Sequence, residues 1–464
     1  MLSSWCRRCW QASSPRRSST SGWALVCGVV HQVQPRSAPL HGVHIHDVVV
    51  VGAGPGGAAA AHFLSAHGLD VLLLDRAEFP RDKTCGDGLT PRALRVLREM
   101  GLLGAVAQRG WRVDAYEVVA PNGRATTAAI TAEPGALVIP RHTLDEMIVR
   151  QAIESGAGFL DGVGVNRVEP APTQATVHAD DGRIFHARVV VIATGAATGV
   201  LTRSGMLRHK PRHMLAMRAY FGDIQHEVAH TFQLRLDGAP MPGYGWIFPV
   251  DSKVANVGVA FMPGRRSPAA SLAFERFIRG AAVQSMLEDS RRLGPVKGYP
   301  IRTDFLRSPT CAERTLLVGE AAGLVNPLTG EGIDYALESG RLAAEHLVDL
   351  FQQGELATER LTAYHALLHA RFQKIFQFGE WVRDWYGHAP LVNVLVALAN
   401  RRPELRQLLT NIVLGEREPR GYRPATMLAR LVIYLASCQL SAVSHQGQRD
   451  ERHGPTVADR HKTC

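Results

Sequence analysis

The 464-residue sequence predicts an α/β fold in which a parallel sheet is interrupted by an antiparallel β insertion and followed by a helical C-terminal region. Three stretches carry this prediction. "HDVVVVGAGPGGAAAAHFLSAHGLDVLLLDR" runs from a β-branched strand pattern through glycines into an alanine-rich helix and on to a second apolar run, a complete strand–helix–strand unit. Residues 214–262 then change to short alternating runs ("MLAMRAYF", "TFQLRLD", "YGWIFPV", "VANVGVAF") parted by turn residues, the pattern of antiparallel strands. Finally "TLLVGEAAGLVNPLTGEGIDYALESGRLAAEHLVDLF" (315–351) returns to strand, glycine-rich loop and long helix, so the first sheet resumes beyond the insertion.

The expected domain map follows from these changes of pattern. Residues 1–46 form a leader. The sheet domain comes in three parts, 47–110, 141–205 and 306–351, and the β insertion in two, 111–140 and 206–305. Residues 352–445 are a helical region, and the polar tail 446–464 is expected to be disordered.

Composition is that of a globular chain, 46% hydrophobic and 20% charged. Half of the net charge of +10 lies in residues 1–46, which hold five arginines and no acid, so no basic nucleic-acid footprint remains on the folded part. That leader reads either as a targeting segment, with Arg16-Arg17 before the apolar run "GWALVCGVV", or as a disordered tail. The seven cysteines are isolated, which argues for a reducing compartment rather than a disulfide framework. The Cys6-Arg-Arg-Cys9 spacing has no second pair to complete a zinc site, and His41, His44 and His46 read as a polar linker, so no metal is expected. No apolar run reaches the ~18 residues needed to span a bilayer. "LVNVLVALA" (391–399) and "MLARLVIYLASCQL" (427–440) read as core helices, with an interfacial patch as the alternative.

The glycine turn carries chemistry. Gly52, Gly54 and Gly57 fit G-x-G-x-x-G: the first permits the tight turn, the second lets backbone approach a pyrophosphate, and the third lets helix and strand close together. Gly56 adds an N–H at the helix start, where free amides favour phosphate. Asp75 ends the second strand 23 residues after Gly52, in the position of a carboxylate that binds ribose hydroxyls. This is a Rossmann-like dinucleotide site, and no second glycine fingerprint follows it. Next, "TPRALRVLREMGL" reads as a helix with Thr90 as N-cap and Pro91 in the first turn. "RHTLDEMIVRQAIESG" (141–156) is an amphipathic helix closed by Gly156, and "RVVVIATGAATG" is a buried strand entering a glycine turn. In "PGYGWIFP" a period of two puts Tyr244, Trp246 and Phe248 on one face of a strand, which suits either an aromatic core or an apolar ligand wall with polar tips.

Taken together, "VVVVGAGPGGAAAA", "FPRDKTCGDGLTPRAL", "PGYGWIFPV", "NVGVA" and "LLVGEAAGLVNPLTGEGIDYALESGRLAAE" resemble the FAD-dependent geranylgeranyl reductases, among them the bacterial reductases of menaquinone side chains. The resemblance covers about residues 47–350. It implies a Rossmann-like FAD-binding domain, a β substrate domain in the manner of p-hydroxybenzoate hydroxylase, and reduction of C=C bonds in a polyprenyl chain. It further implies that Gly86 and Gly88 bring the loop around Cys85 against the flavin, that Arg141 contacts the FAD, and that the strand at Val165 passes the adenine. Glu320, where relatives carry aspartate, would reach the ribitol, and Gly330, Gly332 and Ile333 would offer backbone N–H groups to the ring. Tyr244, Trp246 and Phe248 would contact substrate. Cys85 and Tyr244 are the candidate proton donors, with Cys85 alternatively a packing residue of a tight loop.

The implied partners are a prenyl lipid or prenylquinone, a transient electron donor (NAD(P)H or ferredoxin-type) and a peripheral contact with the inner membrane from the cytoplasmic side. Organellar targeting by residues 1–46 stays open. Two other readings share the architecture: an FAD-dependent aromatic monooxygenase, and a prenyl-lipid carrier without catalysis.

Overall fold

A computed structural model of the chain describes residues 44–224 and 230–413. The strand Ile45–Val51 is the middle of an eight-stranded sheet, paired in parallel with Ile184–Ile192 on one side and Val71–Leu74 on the other. Thr315–Leu317 and Gly158–Leu160 extend it in parallel outward. A hairpin, Val165–Pro170 with Ala175–Ala179, joins Ile184–Ile192 antiparallel. Val48, Val49 and Val50 have no exposed surface, as the continuous β-branched run requires when both faces of a sheet are covered.

The helix Pro55–Ala66 packs between Arg141–Glu154 and Ile333–Gln353. Its contact with the last of these has no room for side chains: a Cβ on Gly340 would stand 2.3 Å from the Gly56 carbonyl oxygen. This glycine lies 25 residues past the recognised strand at 315, and it holds the resumed part of the sheet domain to the first part.

The insertion forms a seven-stranded sheet in the order Arg291–Arg302, His213–Gly222, Ala255–Phe261, Gly243–Pro249, Thr231–Arg235, Ala115–Val119 and Ala125–Ala129. Every pairing is antiparallel except one, because Thr231–Arg235 runs parallel to Ala115–Val119. The strands within 214–262 pair antiparallel as expected, and the one parallel pair joins them to the earlier excursion of the chain. The two strands belong to separate excursions of the chain, so no hairpin turn dictates their relative direction. The helix Ala270–Ile278 covers one face through Phe274 and Phe277. A third, small sheet of Gly88–Leu89, Ala136–Val138 and Trp111–Val113 ties the cysteine loop to the insertion.

Three helices close the described part. Thr358–Tyr386 lays Tyr364, Leu368, Phe372 and Phe376 into the core of the sheet domain. Ala389–Arg401 buries Val392 and Val396 against Ala120 and Leu236 of the insertion, so "LVNVLVALA" is core on that face. Pro403–Val413 follows. Residues 1–43 of the leader, the run 427–440 and the polar tail lie outside the described residues, as do His41 and the Cys6/Cys9 pair, while residues 45 and 46 already belong to the first strand. His44 and His46 flank the start of the first strand and both reach Asp70 Oδ2, at 2.9 and 3.0 Å. No helix among the described residues is long and apolar enough to cross a membrane.

Gly340→Val tests the helix contact. The added side chain overlaps backbone that cannot yield, and the expected cost is about 3 kcal/mol, read as a lowered midpoint in thermal unfolding.

Candidate functional site

One cavity of about 720 Å³ runs between the parallel sheet and the insertion. Its glycine end is built by the turn after the first strand. Gly52 has φ 105°, and a Cβ there would lie 2.5 Å from the Ala193 carbonyl, so the turn closes only with glycine. A Cβ on Gly57 would lie 1.8 Å from the Gly52 oxygen, whereas one on Gly54 would meet only Arg81 Nη2, at 3.7 Å. The first-turn amides of the helix Pro55–Ala66 lack intrahelical partners and face this end of the cavity. Asp75 is buried: Oδ2 accepts from the Ala53 amide at 2.7 Å and Oδ1 from the Ala77 amide at 2.9 Å, so the carboxylate braces the turn as well as lining the cavity.

Arg141 belongs to a buried ion pair. Its guanidinium donates to both oxygens of Asp145 at 2.7 Å with both residues buried, and Arg81 adds a bond to Asp145 at 2.9 Å. Burial pulls the Arg141 pKa down, but the Asp145 carboxylate and then the Cys85 side chain, which it also contacts, hold it above the usual arginine value. Gly52, Gly54, Gly56, Asp75, Arg141, Val165, Glu320, Gly330, Gly332 and Ile333 all line this cavity, as do Cys85, Gly86, Gly88, Tyr244, Trp246 and Phe248. Gly57 stands behind the wall, in the helix–strand contact.

Three residues stand differently from expectation. Glu320 lies in a short 3-10 turn, Gly319–Ala322, after the strand; Oε1 accepts from the Arg302 amide (2.9 Å) and Oε2 from Lys83 Nζ (3.2 Å), so a hydroxyl reaching it shares those donors. Gly86 and Gly88 make room for the protein's own rings. A Cβ on Gly86 would stand 3.1 Å from Phe248, and one on Gly88 3.1 Å from Phe232.

The aromatic face is as the period of two requires. Tyr244, Trp246 and Phe248 follow one another at ring separations of 6.3 and 6.4 Å on the cavity side, while a Cβ on Gly245, on the other face, would strike Phe277. Both polar tips are engaged, however: the Tyr244 hydroxyl donates to the Thr329 carbonyl, and Trp246 Nε1 donates to Asn256 Oδ1 at 3.0 Å. What faces the cavity is largely hydrocarbon, with Leu234, Ala260 and Ile301 filling between the rings.

Asn256 and Asp87 are the residues that sequence reasoning missed. Asn256 is fully buried, and its Nδ2 donates to the Cys85 carbonyl at 2.7 Å and to Asp87 Oδ2 at 2.8 Å. Asp87, also fully buried and at φ 65°, accepts a second bond from the Tyr220 hydroxyl, 2.5 Å away. Burial pushes the Asp87 carboxyl up to about 6, against the lowering effects of Tyr220, Asn256, Arg218 and Arg141. Its acidic side chain was visible two residues after Cys85, but nothing in the sequence showed that it points inward.

The donor set suits an elongated anionic ligand with a flat, partly apolar end. Free helix-start amides lie at Gly56–Gly57 and again before Ile333, Gly54 leaves space for close approach, and Asp87 Oδ1 is buried without a protein partner.

The FAD binding domain family matches residues 46–379. The chain is 36% identical over 324 residues to menaquinone reductase of Mycobacterium tuberculosis, covering 65% of this chain and 76% of that one. It is 29% identical over 383 residues to digeranylgeranylglycerophospholipid reductase 1 of Methanopyrus kandleri, covering 76% and 94%. Among solved structures, a geranylgeranyl bacteriochlorophyll reductase-like protein of Thermoplasma acidophilum shares the fold with TM-score 0.67 at 21% identity, over 80% of this chain and 100% of that one. FAD is therefore the cofactor of this fold.

Arg141→Met leaves Asp145 buried with Arg81 as its remaining cation. A loss of about 2–4 kcal/mol is expected, somewhat below that of a buried pair broken outright, and is read by denaturant unfolding with flavin content measured alongside.

Proposed function

The chain belongs to the FAD-dependent geranylgeranyl reductases, and from that premise we propose that it saturates C=C bonds in the isoprenoid tail of a membrane prenylquinone of the menaquinone type. It is an FAD-dependent oxidoreductase acting on a polyprenyl chain. The observation that carries the finer reading is the apolar strip of Tyr244, Trp246 and Phe248, which lines the cavity with the cysteine loop packed against it. Such a wall gives an isoprenoid chain hydrocarbon contact along its length and offers no donor to hold a phenol in one orientation, which favours reduction over aromatic hydroxylation. The intact glycine turn and braced Asp75 speak against a carrier without cofactor.

When bound, FAD supplies the hydride that adds to one carbon of the double bond. The residues of the chain do the rest. Gly52, Gly54 and Gly56 would cradle the pyrophosphate, with Gly57 letting the helix close on the strand; Asp75 and Val165 would border the adenosine, and Arg141, Glu320, Gly330, Gly332 and Ile333 would hold the ribitol and ring end. The Cys85 thiol gives a proton to the other carbon, and the Arg141 guanidinium beside it stabilises the thiolate that remains. Tyr244 keeps its hydroxyl on the Thr329 carbonyl, so its part is to fix the turn before Gly330 and the first section of the wall, with Trp246 continuing it. The aromatic strip also excludes the water that would otherwise compete for the proton. Reducing equivalents come from a transiently bound NAD(P)H or a ferredoxin-type donor, since no second glycine fingerprint exists. The membrane-dissolved tail implies peripheral contact on the cytoplasmic side of the inner membrane.

Mass spectrometry of lipid extracts from cells with and without the gene is the direct test: prenylquinone species heavier by one H2 depend on the gene, and the reading fails if no prenyl lipid changes. Cys85→Ser retains flavin and loses turnover by about 10²–10⁴-fold, the usual contribution of a positioned acid; loss of flavin instead would assign Cys85 to packing.

A further inference from the structure

Two of the histidines that read from the sequence as a polar linker meet a carboxylate where the first strand begins. His44 and His46 stand two apart, the second inside the strand Ile45–Val51, and the period of two brings both rings to one side, with centroids 4.3 Å apart. Asp70 comes from the loop directly before the paired strand Val71–Leu74. Its main chain is anchored to the first strand: the amide donates to Asp47 Oδ2 at 3.1 Å, and the carbonyl accepts from the Val48 amide at 3.1 Å. Strand pairing thus delivers the carboxylate to the two rings.

Three ligand atoms converge there. His44 Nε2 lies 2.9 Å from Asp70 Oδ2, His46 Nδ1 lies 3.0 Å from the same oxygen, and the two nitrogens are 3.2 Å apart. Linear hydrogen bonds cannot account for all three edges of this triangle, because a ring nitrogen carries at most one hydrogen. If both nitrogens donate to the oxygen, no hydrogen is left between them; if one donates to the other, the accepting lone pair is set against the carboxylate. A cation above the triangle takes all three lone pairs at once. Three ligands about 2.0–2.1 Å from one zinc ion stand about 2.9–3.4 Å apart for angles from square to tetrahedral, and the three edges fall in that range.

We propose that His44, His46 and Asp70 form a zinc site that clamps the start of the first strand to the loop before the second. Two imidazoles with a carboxylate are a donor set for zinc and its first-row neighbours, whereas calcium and magnesium are held by oxygen. Three protein ligands leave a further position to solvent, which the half-exposed side chains of His44 and Asp70 permit. The site stands apart from the cavity. Seven residues of strand separate it from the glycine turn, a length of roughly 20 Å. The ion acts on the frame of the sheet domain and not on the reaction, so the inference does not depend on the reading of the substrate.

The test titrates zinc chloride into the full-length, flavin-loaded protein by calorimetry, beside His44→Ala, His46→Ala and Asp70→Asn. The chain holds 20 histidines and 7 cysteines, so the readout is the difference between the unsubstituted and variant isotherms rather than total zinc bound. Each substitution is expected to weaken the site at least about tenfold, the smallest loss usual even for groups one shell removed from a metal. Identical isotherms in all four proteins overturn the proposal. Thermal unfolding gives a second arm: an ion held only by the folded state raises the Tm of the unsubstituted protein, and the rise is lost in the variants. A rise of equal size in the variants places the ion elsewhere and overturns the proposal equally. X-ray absorption of the protein loaded with an equimolar amount of zinc is expected to show two imidazoles around the metal, and one in His44→Ala; a zinc environment unchanged by that substitution also overturns it. His44→Ala removes a half-exposed side chain at the edge of the sheet, so this arm stands even if Asp70→Asn fails to fold.

Discussion

The cavity depends on a buried amide. Asn256 joins three things that belong to different parts of the chain: the carbonyl of Cys85, the carboxylate of Asp87 and the indole of Trp246. Each of its bonds satisfies a polar group that would otherwise cost about 1–3 kcal/mol in the dry space between two sheets. The constraint is mutual. Asn256 can stay fully buried because all three partners are present, and the loop can approach the aromatic strand because its glycines leave room for Phe248 and Phe232. An apolar residue at 256 would leave the indole N–H and the Cys85 carbonyl unpaired at once, and Asp87 Oδ2 with Tyr220 alone.

Charge elsewhere in the interior is likewise shared among several partners. Arg302 divides its guanidinium among Asp304, the Ala321 carbonyl and Ser308. Arg92 and Arg371 share Glu338 beneath the helix that starts at Ile333, and the neighbouring Asp334 is pushed up to about 6 by burial against the attraction of Arg92. Arginine recurs in these positions because a planar fork can serve several acceptors from one buried place.

How much of this could be read in the sequence depended on range. Elements announced by local rules were legible: the glycine turn, Thr90 capping the helix that begins with Pro91, the alternation that puts Tyr244, Trp246 and Phe248 on one face. The parallel pairing of Ala115–Val119 with Thr231–Arg235 was not, because no turn between neighbours encodes it. Nor were Asp87 and Asn256. Each is an ordinary polar residue in its own stretch, and their importance comes only from meeting across 169 residues of chain. The polar tips of Tyr244 and Trp246 were legible as chemistry but not as direction, since their partners Thr329 and Asn256 lie outside the motif that holds them.

That parallel pairing has a consequence for the order in which the protein is made. The insertion sheet takes strands from two excursions separated by the helix Arg141–Glu154 and the strand Ile184–Ile192, and its last strand ends at Arg302. Ala115–Val119 leaves the ribosome with only Ala125–Ala129 as a neighbour and must wait for more than a hundred further residues before its other edge is covered. Contacts of such long range are closed late. The half-built sheet is therefore a two-stranded ribbon with an open edge for several seconds of synthesis at ordinary elongation rates of about 5–20 residues per second, and a nascent chain of this kind is one that chaperones are placed to meet.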